Sequence, residues 1–363
     1  MRVVIIADAL DNQRAGVHVY LKQFINALIK FATEWEIILI RLKEVNDFPE
    51  CTHIVIPNPY TNPFGYASYR LFFLVPKRIK ELNADVVIEP AHFGPFNLPK
   101  RIKRVTVIHD LTPLLFPHFH RFHSQILQRI FLPSILRKAH LIVTNSKNTQ
   151  KDVITRFPIT KGKTIFTYPT VQPHFLEMQL NSESSKYNNS YFLYTGTWEP
   201  RKDLSSILKA FKLYRESGGS SDLVLAGSVG WKVQHVLEEL EKHEFRKQIH
   251  TPGFIPDEDL PSLMKNAKAL VYVSHYEGFG LPVLEAMSCG TPVIVTNVSS
   301  LPEIAGDAGL YVNPGDFRSI ANFMLQLNED SIYLKQKEKV KKQSELFSQK
   351  LFISSILTAI KTL

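Results

Sequence analysis

Short runs of aliphatic and β-branched residues alternate along this chain with longer stretches in which apolar positions recur every three or four residues. The runs Val3–Ala7, Glu36–Ile40, Ile54–Ile56, Val86–Ile88, Val105–Ile108 and Leu141–Thr144 predict strands. After the first of them, Val17, Leu21, Phe24, Ile25 and Leu28 fall on one face of a helix. A polar stretch from Asn181 to Ser190 then breaks the pattern and predicts a linker over 179–190. Strand runs resume at Tyr191–Tyr194, Leu223–Ala226, Ala269–Val273, Pro292–Val295 and Leu310–Val312. Strand–helix alternation of this kind predicts doubly wound parallel α/β sheets. We expect two such domains in series, 1–178 and 191–345, facing a central cleft. Phe352, Ile353, Ile356, Leu357 and Ile360 give a final helix within 346–363 one apolar stripe. Periodicity leaves open whether it packs within the second domain or crosses back to the first.

The chain has 363 residues, of which 44% are hydrophobic and 11% aromatic, which fits a globular two-domain protein and excludes a disordered one. No apolar run approaches the length of a membrane span. The start, Met1 to Asp8, is too short an apolar run for a leader and reads as a buried strand. Cys51 and Cys289 lie outside any metal-ligand spacing and point to a reducing cytoplasm. Charge is uneven. Residues 1–175 hold 23 Lys+Arg against 12 Asp+Glu, whereas the remainder holds 20 against 22. Basic runs such as Lys77-Arg78-Ile79-Lys80 and Lys100-Arg101-Ile102-Lys103-Arg104 predict attraction to an anionic surface. No nucleic-acid-binding module accompanies them. An anionic inner membrane leaflet fits, each basic side chain adding about 1 kcal/mol there, and plain solvated charge remains the alternative.

Candidate chemistry concentrates in His275-Tyr276-Glu277-Gly278-Phe279-Gly280-Leu281-Pro282-Val283-Leu284-Glu285. It reads as the end of a buried strand, a glycine-containing loop with one acid, and a helix with another. Gly278 and Gly280 allow backbone N–H groups close to a ligand, and the helix start offers a site for phosphate oxygens. Carboxylates on either side suit a ligand with hydroxyls at both ends of a diphosphate, such as a sugar nucleotide. Taken alone, two glutamates at this spacing also arise by chance. The second feature is Tyr194-Thr195-Gly196-Thr197-Trp198-Glu199-Pro200-Arg201-Lys202-Asp203. Its cations sit at a strand-to-helix loop, where ligands of open α/β sheets bind. A solvated pair would be poorly placed there, because cations disfavour a helix amino terminus.

With Ser288-Cys289-Gly290-Thr291-Pro292-Val293-Ile294 and Leu301-Pro302-Glu303-Ile304, the string from His275 resembles glycosyltransferase family 4. The resemblance covers nearly the whole chain and is strongest from Tyr191 to Asp316. It implies the GT-B fold, retention of anomeric configuration and a Glu-x7-Glu motif formed by Glu277 and Glu285. Glu277 is then expected at hydroxyls of the donor sugar, and Glu285 at the ribose. Backbone amides at Phe279 and Gly280, flanked by Gly278 and Leu281, would support sugar and phosphate. The stretch from Gly196 to Asp203 is similar to the family's diphosphate loop, so Arg201 and Lys202 are expected to neutralise the leaving group. Several members carry arginine immediately after that glycine, whereas this chain has Thr197. Val107-Ile108-His109-Asp110 looks like the family's His-Asp element, with His109 orienting the sugar and Asp110 fixing the loop. A Gly-Gly pair common before the first helix is reduced to Gly16, beside Arg14 and Ala15. Gly227 lies in a loop similar to one after the second strand of the nucleotide domain, and Phe254 and Ile255 in one that meets the base.

Asp257-Glu258-Asp259 matches the metal motif of an unrelated transferase fold only superficially, since acids are ordinary at a helix start. Metal-independent catalysis without a cofactor is expected, with the nucleotide sugar as substrate. The family pattern offers no obvious enzymic nucleophile, so same-face displacement is expected over double displacement. The resemblance suggests mannose from GDP-mannose as donor, a glycan or lipid-linked saccharide acceptor, and a cytoplasmic protein, peripheral on the inner face of the plasma membrane. Two other classes stay open: a GT-B-fold nucleotide-sugar epimerase or isomerase, and a non-catalytic nucleotide-binding subunit.

Overall fold

A computed structural model describes residues 1–12, 16–45, 47–57, 69–92, 94–95, 97–119, 122–177 and 187–363. Positions 179–186 of the expected linker, and Arg14 and Ala15 of the first loop, lie outside the described residues. The chain forms two compact units, Met1–Thr170 with Gln349–Leu363, and Val171–Ser348.

The first unit is built on β1 (Arg2–Ile6), β2 (Glu36–Arg41), β3 (Thr52–Val55), β4 (Val86–Glu89), β5 (Lys103–Ile108), β6 (Leu141–Thr144) and β7 (Thr164–Phe166). They form one sheet in the order β3-β2-β1-β4-β5-β6-β7, every pair parallel. Such strands are covered on both faces, which is why their apolar residues run together instead of alternating. Between the first predicted strand and the helix face that begins at Val17 the sequence reads as a loop from Asp8 to Val17, but residues 8–12 form a short helix, α1 (Asp8–Asn12), and Gly16 already opens α2 (Gly16–Phe31). Tyr20, Leu21, Phe24, Ile25 and Leu28 on α2 are buried, with Val17 packed against the same core. Next come α3 (Val75–Glu81), preceded by a π-helical turn (Arg70–Leu74), and α4 (Phe122–Lys138).

The second unit contains β8 (Tyr191–Thr195), β9 (Asp222–Ala226), β10 (Ile249–Gly253), β11 (Ala269–Tyr272), β12 (Val293–Thr296) and β13 (Gly309–Val312). Their order is β10-β9-β8-β11-β12-β13, again all parallel. Helices α5 (Leu204–Glu216), α6 (Leu260–Lys265) and α7 (Leu281–Ser288) follow β8, β10 and β11. Strand order reverses between β8 and β11, and the loops leaving those two strands flank the crevice where ligands of open α/β sheets bind.

Two strands escape the sequence reading, and each is a sheet edge. β7 has only three residues, and β10 contains Pro252 and Gly253, read from sequence as loop. An edge strand has one hydrogen-bonding side unpaired, so it tolerates proline and needs no continuous apolar run. The last helix, α8 (Gln349–Lys361), belongs to the first unit and packs on α2. Its Phe352, Ile353, Ile356 and Ile360 are buried there, each worth about 1.5–3 kcal/mol of removed apolar surface. Phe352 meets Tyr20 and Phe24 edge-on, and its carbonyl accepts a 2.5 Å hydrogen bond from Thr167.

Candidate active site

In the second unit the chain leaving β8 turns through Gly196, whose φ of +137° suits glycine. It then forms a single 3₁₀ turn, Pro200–Lys202. Asp203 ends that turn in a left-handed conformation and caps α5 by accepting from the Ser206 amide. The turn places Arg201 and Lys202 back towards the sheet, and Lys202 is buried. They are not a solvated pair. Lys202 Nζ lies 2.6 Å from Glu277 Oε1, and Arg201 Nη1 lies 2.7 Å from Glu277 Oε2.

Each group has further partners. Arg201 donates to the Tyr276 carbonyl and pairs with Glu199, both at 2.5 Å. Lys202 also meets the hydroxyl of Tyr272, whose ring stacks on that of Tyr194. The loop after β11 is held from below. Ser299 Oγ accepts from the Glu277 amide at 2.8 Å, while Ser300 Oγ reaches the carbonyls of Glu277 and Phe279 at 3.0 and 2.6 Å. The Glu277 backbone is therefore pinned, and its buried side chain is held separately by the two cations.

Electrostatics follow from burial and pairing. Burial by itself pushes the Glu277 carboxyl up, but the charges of Arg201 and Lys202 outweigh it and hold the group at about 2. Burial pulls the Lys202 ammonium down, and the attraction of Glu277 opposes it. Glu285 shows the opposite outcome. It is buried on α7, and burial together with the charge of Asp257 pushes its carboxyl up to about 8. Glu285 makes no ion pair with the Arg201–Lys202–Glu277 cluster, and its burial favours the protonated form.

The remaining candidates fall in place around these loops. Gly280 caps the start of α7 with φ +114°, Leu281 and Pro282 open the helix, and Gly278 and Phe279 are buried beside it. Gly227 stands against Gly196: a Cβ there would lie 2.0 Å from the Gly196 carbonyl oxygen, so side-chain-free packing of neighbouring loops already requires glycine. Thr197 is exposed, Phe254 is 47% exposed, and Ile255 is half-buried beyond the end of β10. Asp257, Glu258 and Asp259 form the turn before α6. Among the described residues, no three His, Cys, Asp or Glu side chains come together as a metal site.

In the first unit, His109 follows β5 and is buried. Its Nε2 lies 2.7 Å from the Pro90 carbonyl, which accepts, so Nε2 carries the proton and Nδ1 holds the lone pair. Burial and the neighbouring His92 push the imidazole down to about 4. The edge of the ring pair with Tyr20, at 4.9 Å, backs it on the other side. Asp110 accepts from the Thr112 amide and hydroxyl, and so fixes the turn as expected. His92 Nε2 lies 3.0 Å from the Asp110 carbonyl and 3.2 Å from the His109 amide nitrogen. Gly16 is exposed at the start of α2.

Sequence reasoning overlooked Glu199, Tyr272, Ser299 and Ser300. Glu199 stood inside the quoted loop, and Tyr272 was the one hydroxyl-bearing residue in an aliphatic strand. The serines carried no local signal.

Comparison with known proteins decides the family. Residues 14–175 match the family described as Glycosyltransferase Family 4, and residues 178–346 match Glycosyl transferases group 1. O-antigen chain mannosyltransferase B of Escherichia coli is 36% identical over 278 residues, covering 74% of this chain and 72% of that one. The chain belongs to glycosyltransferase family 4. O-antigen chain mannosyltransferase RfbU of Salmonella typhimurium is 24% identical over 330 residues, 87% of this chain and 88% of its own. Among solved structures, WaaG, a glycosyltransferase involved in lipopolysaccharide biosynthesis, superposes with a TM-score of 0.71 at 17% identity, covering 99% and 98% of the two chains. The two parallel-sheet units are those of the GT-B fold. This member of the family is a hexosyltransferase that draws on a nucleotide sugar.

Proposed function

We propose that this transferase moves mannose, with retention of configuration, from GDP-mannose to a saccharide or lipid-linked saccharide of a bacterial surface polysaccharide. The carrying observation is the buried meeting of Arg201, Lys202 and Glu277 at the loops leaving β8 and β11. As the bond from the anomeric carbon to the diphosphate breaks, negative charge grows on the leaving oxygens. Preorganised cations in a dry site stabilise that charge most. Glu277 would take hydroxyls of the sugar, and the amides of Phe279 and Gly280 would meet sugar and phosphate. Glu285 would hold the ribose, with Gly196, Thr197, Gly227, Gly278, Phe254, Ile255 and Leu281 around the nucleotide. His109 would orient the sugar and Gly16 border the diphosphate. Mannose is chosen because the two relatives above are mannosyltransferases. Protein cations supply the positive charge, so the proposed reaction needs neither metal nor cofactor. Same-face displacement, with the leaving phosphate helping to deprotonate the acceptor, fits this residue set.

The proposal includes a cytoplasmic protein held at the anionic inner face of the plasma membrane. Among the described residues no helix is long and apolar enough to cross a membrane. Phe73 on the π-helical turn, and Ile126 and Ile130 on α4, are exposed, with Lys77 on the adjoining α3 and Arg129 and Arg137 on α4 exposed as well. Exposed apolar side chains flanked by basic ones suit a headgroup layer. Binding to phosphatidylglycerol vesicles should fall steeply with salt, and salt-insensitive or absent binding would remove this element.

A donor screen tests the whole reading. Purified protein is incubated with GDP-mannose, UDP-glucose, UDP-N-acetylglucosamine and other common donors, with and without a chelator and a mannose-containing acceptor. Release of GDP that depends on acceptor and ignores the chelator is expected. Conversion of donor in acceptor-free solution, or nucleotide binding with no turnover, would favour the epimerase or the non-catalytic subunit instead.

A further inference from the structure

Glu199, Arg201, Lys202 and Glu277 are joined by ion pairs into a set of two carboxylates and two cations. Each oxygen of Glu277 occupies one of the cations. Arg201 and Lys202 therefore present no unbalanced charge to an arriving diphosphate while Glu277 keeps this rotamer. Bringing phosphate oxygens to the same cations with Glu277 in place would press like charges together inside a water-poor site, where they repel strongly. The backbone of Glu277 is held by Ser299 and Ser300, so an exchange would turn the side chain and break its two ion pairs while the loop stays in place.

We propose that Glu277 acts as a stand-in anion, exchanging places with the diphosphate in each catalytic cycle. Donor binding displaces the carboxylate from Arg201 and Lys202 and turns it towards the sugar. After transfer, its return to the cations competes with the product nucleoside diphosphate and hastens product release. Glu277 thus weakens ground-state binding of the diphosphate while serving the reaction. This inference rests on the reading of Arg201 and Lys202 as the diphosphate site.

The test is equilibrium binding of inorganic pyrophosphate, GDP and UDP to wild type, Glu277→Gln, Glu277→Asp and Lys202→Ala by calorimetry. Glu277→Gln should bind the preferred diphosphate at least about tenfold more tightly than wild type, as expected when a close competing charge is removed. Glu277→Asp keeps the charge but is too short to bridge both cations, so it should bind more tightly by a smaller factor. That separates exchange from a general change in charge, and it serves if Glu277→Gln fails to fold. In stopped flow, tighter binding should reside in slower release. Lys202→Ala should weaken all three ligands. If Lys202→Ala binds like wild type, the diphosphate site itself is misassigned and the inference falls with it. If Lys202→Ala weakens binding while the Glu277 variants bind no more tightly than wild type, the site stands and the exchange is wrong.

Discussion

Lys202 shows how a residue's surroundings change its meaning. On the sequence it is one of two neighbouring cations at a helix start. In the fold it is buried, touching Glu277 and Tyr272. Lys202→Ala should lower turnover at least about a hundredfold, the loss seen when one preorganised charge-stabilising group is removed. Steady-state nucleotide release by a variant with wild-type melting behaviour checks it, and unchanged turnover would take Lys202 out of the mechanism. His109 makes a pH prediction. Its imidazole is held at about 4 by burial and by His92, below the value near 6.5 expected of an unfolded chain. The unfolded state therefore binds more protons between those values, and stability falls as pH drops through that window. At pH 5 the deficit is about 2 kcal/mol relative to pH 8. His109→Gln should lose that part of the acid-side decline, as urea midpoints at the two pH values would show.

At the scale of elements, the interior strands and the helix face of α2 were legible because burial on both sides forces apolar residues into unbroken or regularly spaced runs. β7 and β10 were not: β7 has three residues and β10 carries Pro252 and Gly253, which a sheet edge tolerates. The apolar stripe of α8 was equally plain, but periodicity states that a face is covered and not by what. Three-dimensional packing answered that: Phe352 lies against Tyr20 and Phe24 on α2, and Tyr20 lies against His109. The final helix thus supports the ring of a candidate active-site residue. Phe352→Ala should cost about 3–5 kcal/mol in chemical denaturation, the usual range for emptying a filled aromatic site. A change no larger than that of a surface substitution would show that α8 is dispensable to the core.

For the molecule as a whole, each unit carries its own parallel sheet and its own described core clusters. The cation cluster and Glu285 belong to the second unit, and His109 and Gly16 to the first. Binding of GDP or UDP should therefore slow amide exchange most in residues 196–202 and 274–281. The amides of β1 to β3 should change little. Equal protection of both units, or none at those two loops, would count against a donor site at the β8–β11 crevice. Net charge divides the same way, with the basic excess in residues 1–175. That imbalance was readable by counting.

What residue order alone determined was the alternation of strand and helix and the division into two α/β units, and it named candidate loops for the chemistry. Those properties depend on near neighbours: a buried strand needs consecutive apolar residues, and a turn favours glycine where φ is positive. Only the tertiary structure decided that Glu277 sits on the cations of Arg201 and Lys202, 75 positions away from Lys202, that Glu285 stands apart from them, and that α8 closes the first core. Ion pairing and desolvation depend on distance through space, which the spacing of letters along a chain does not record.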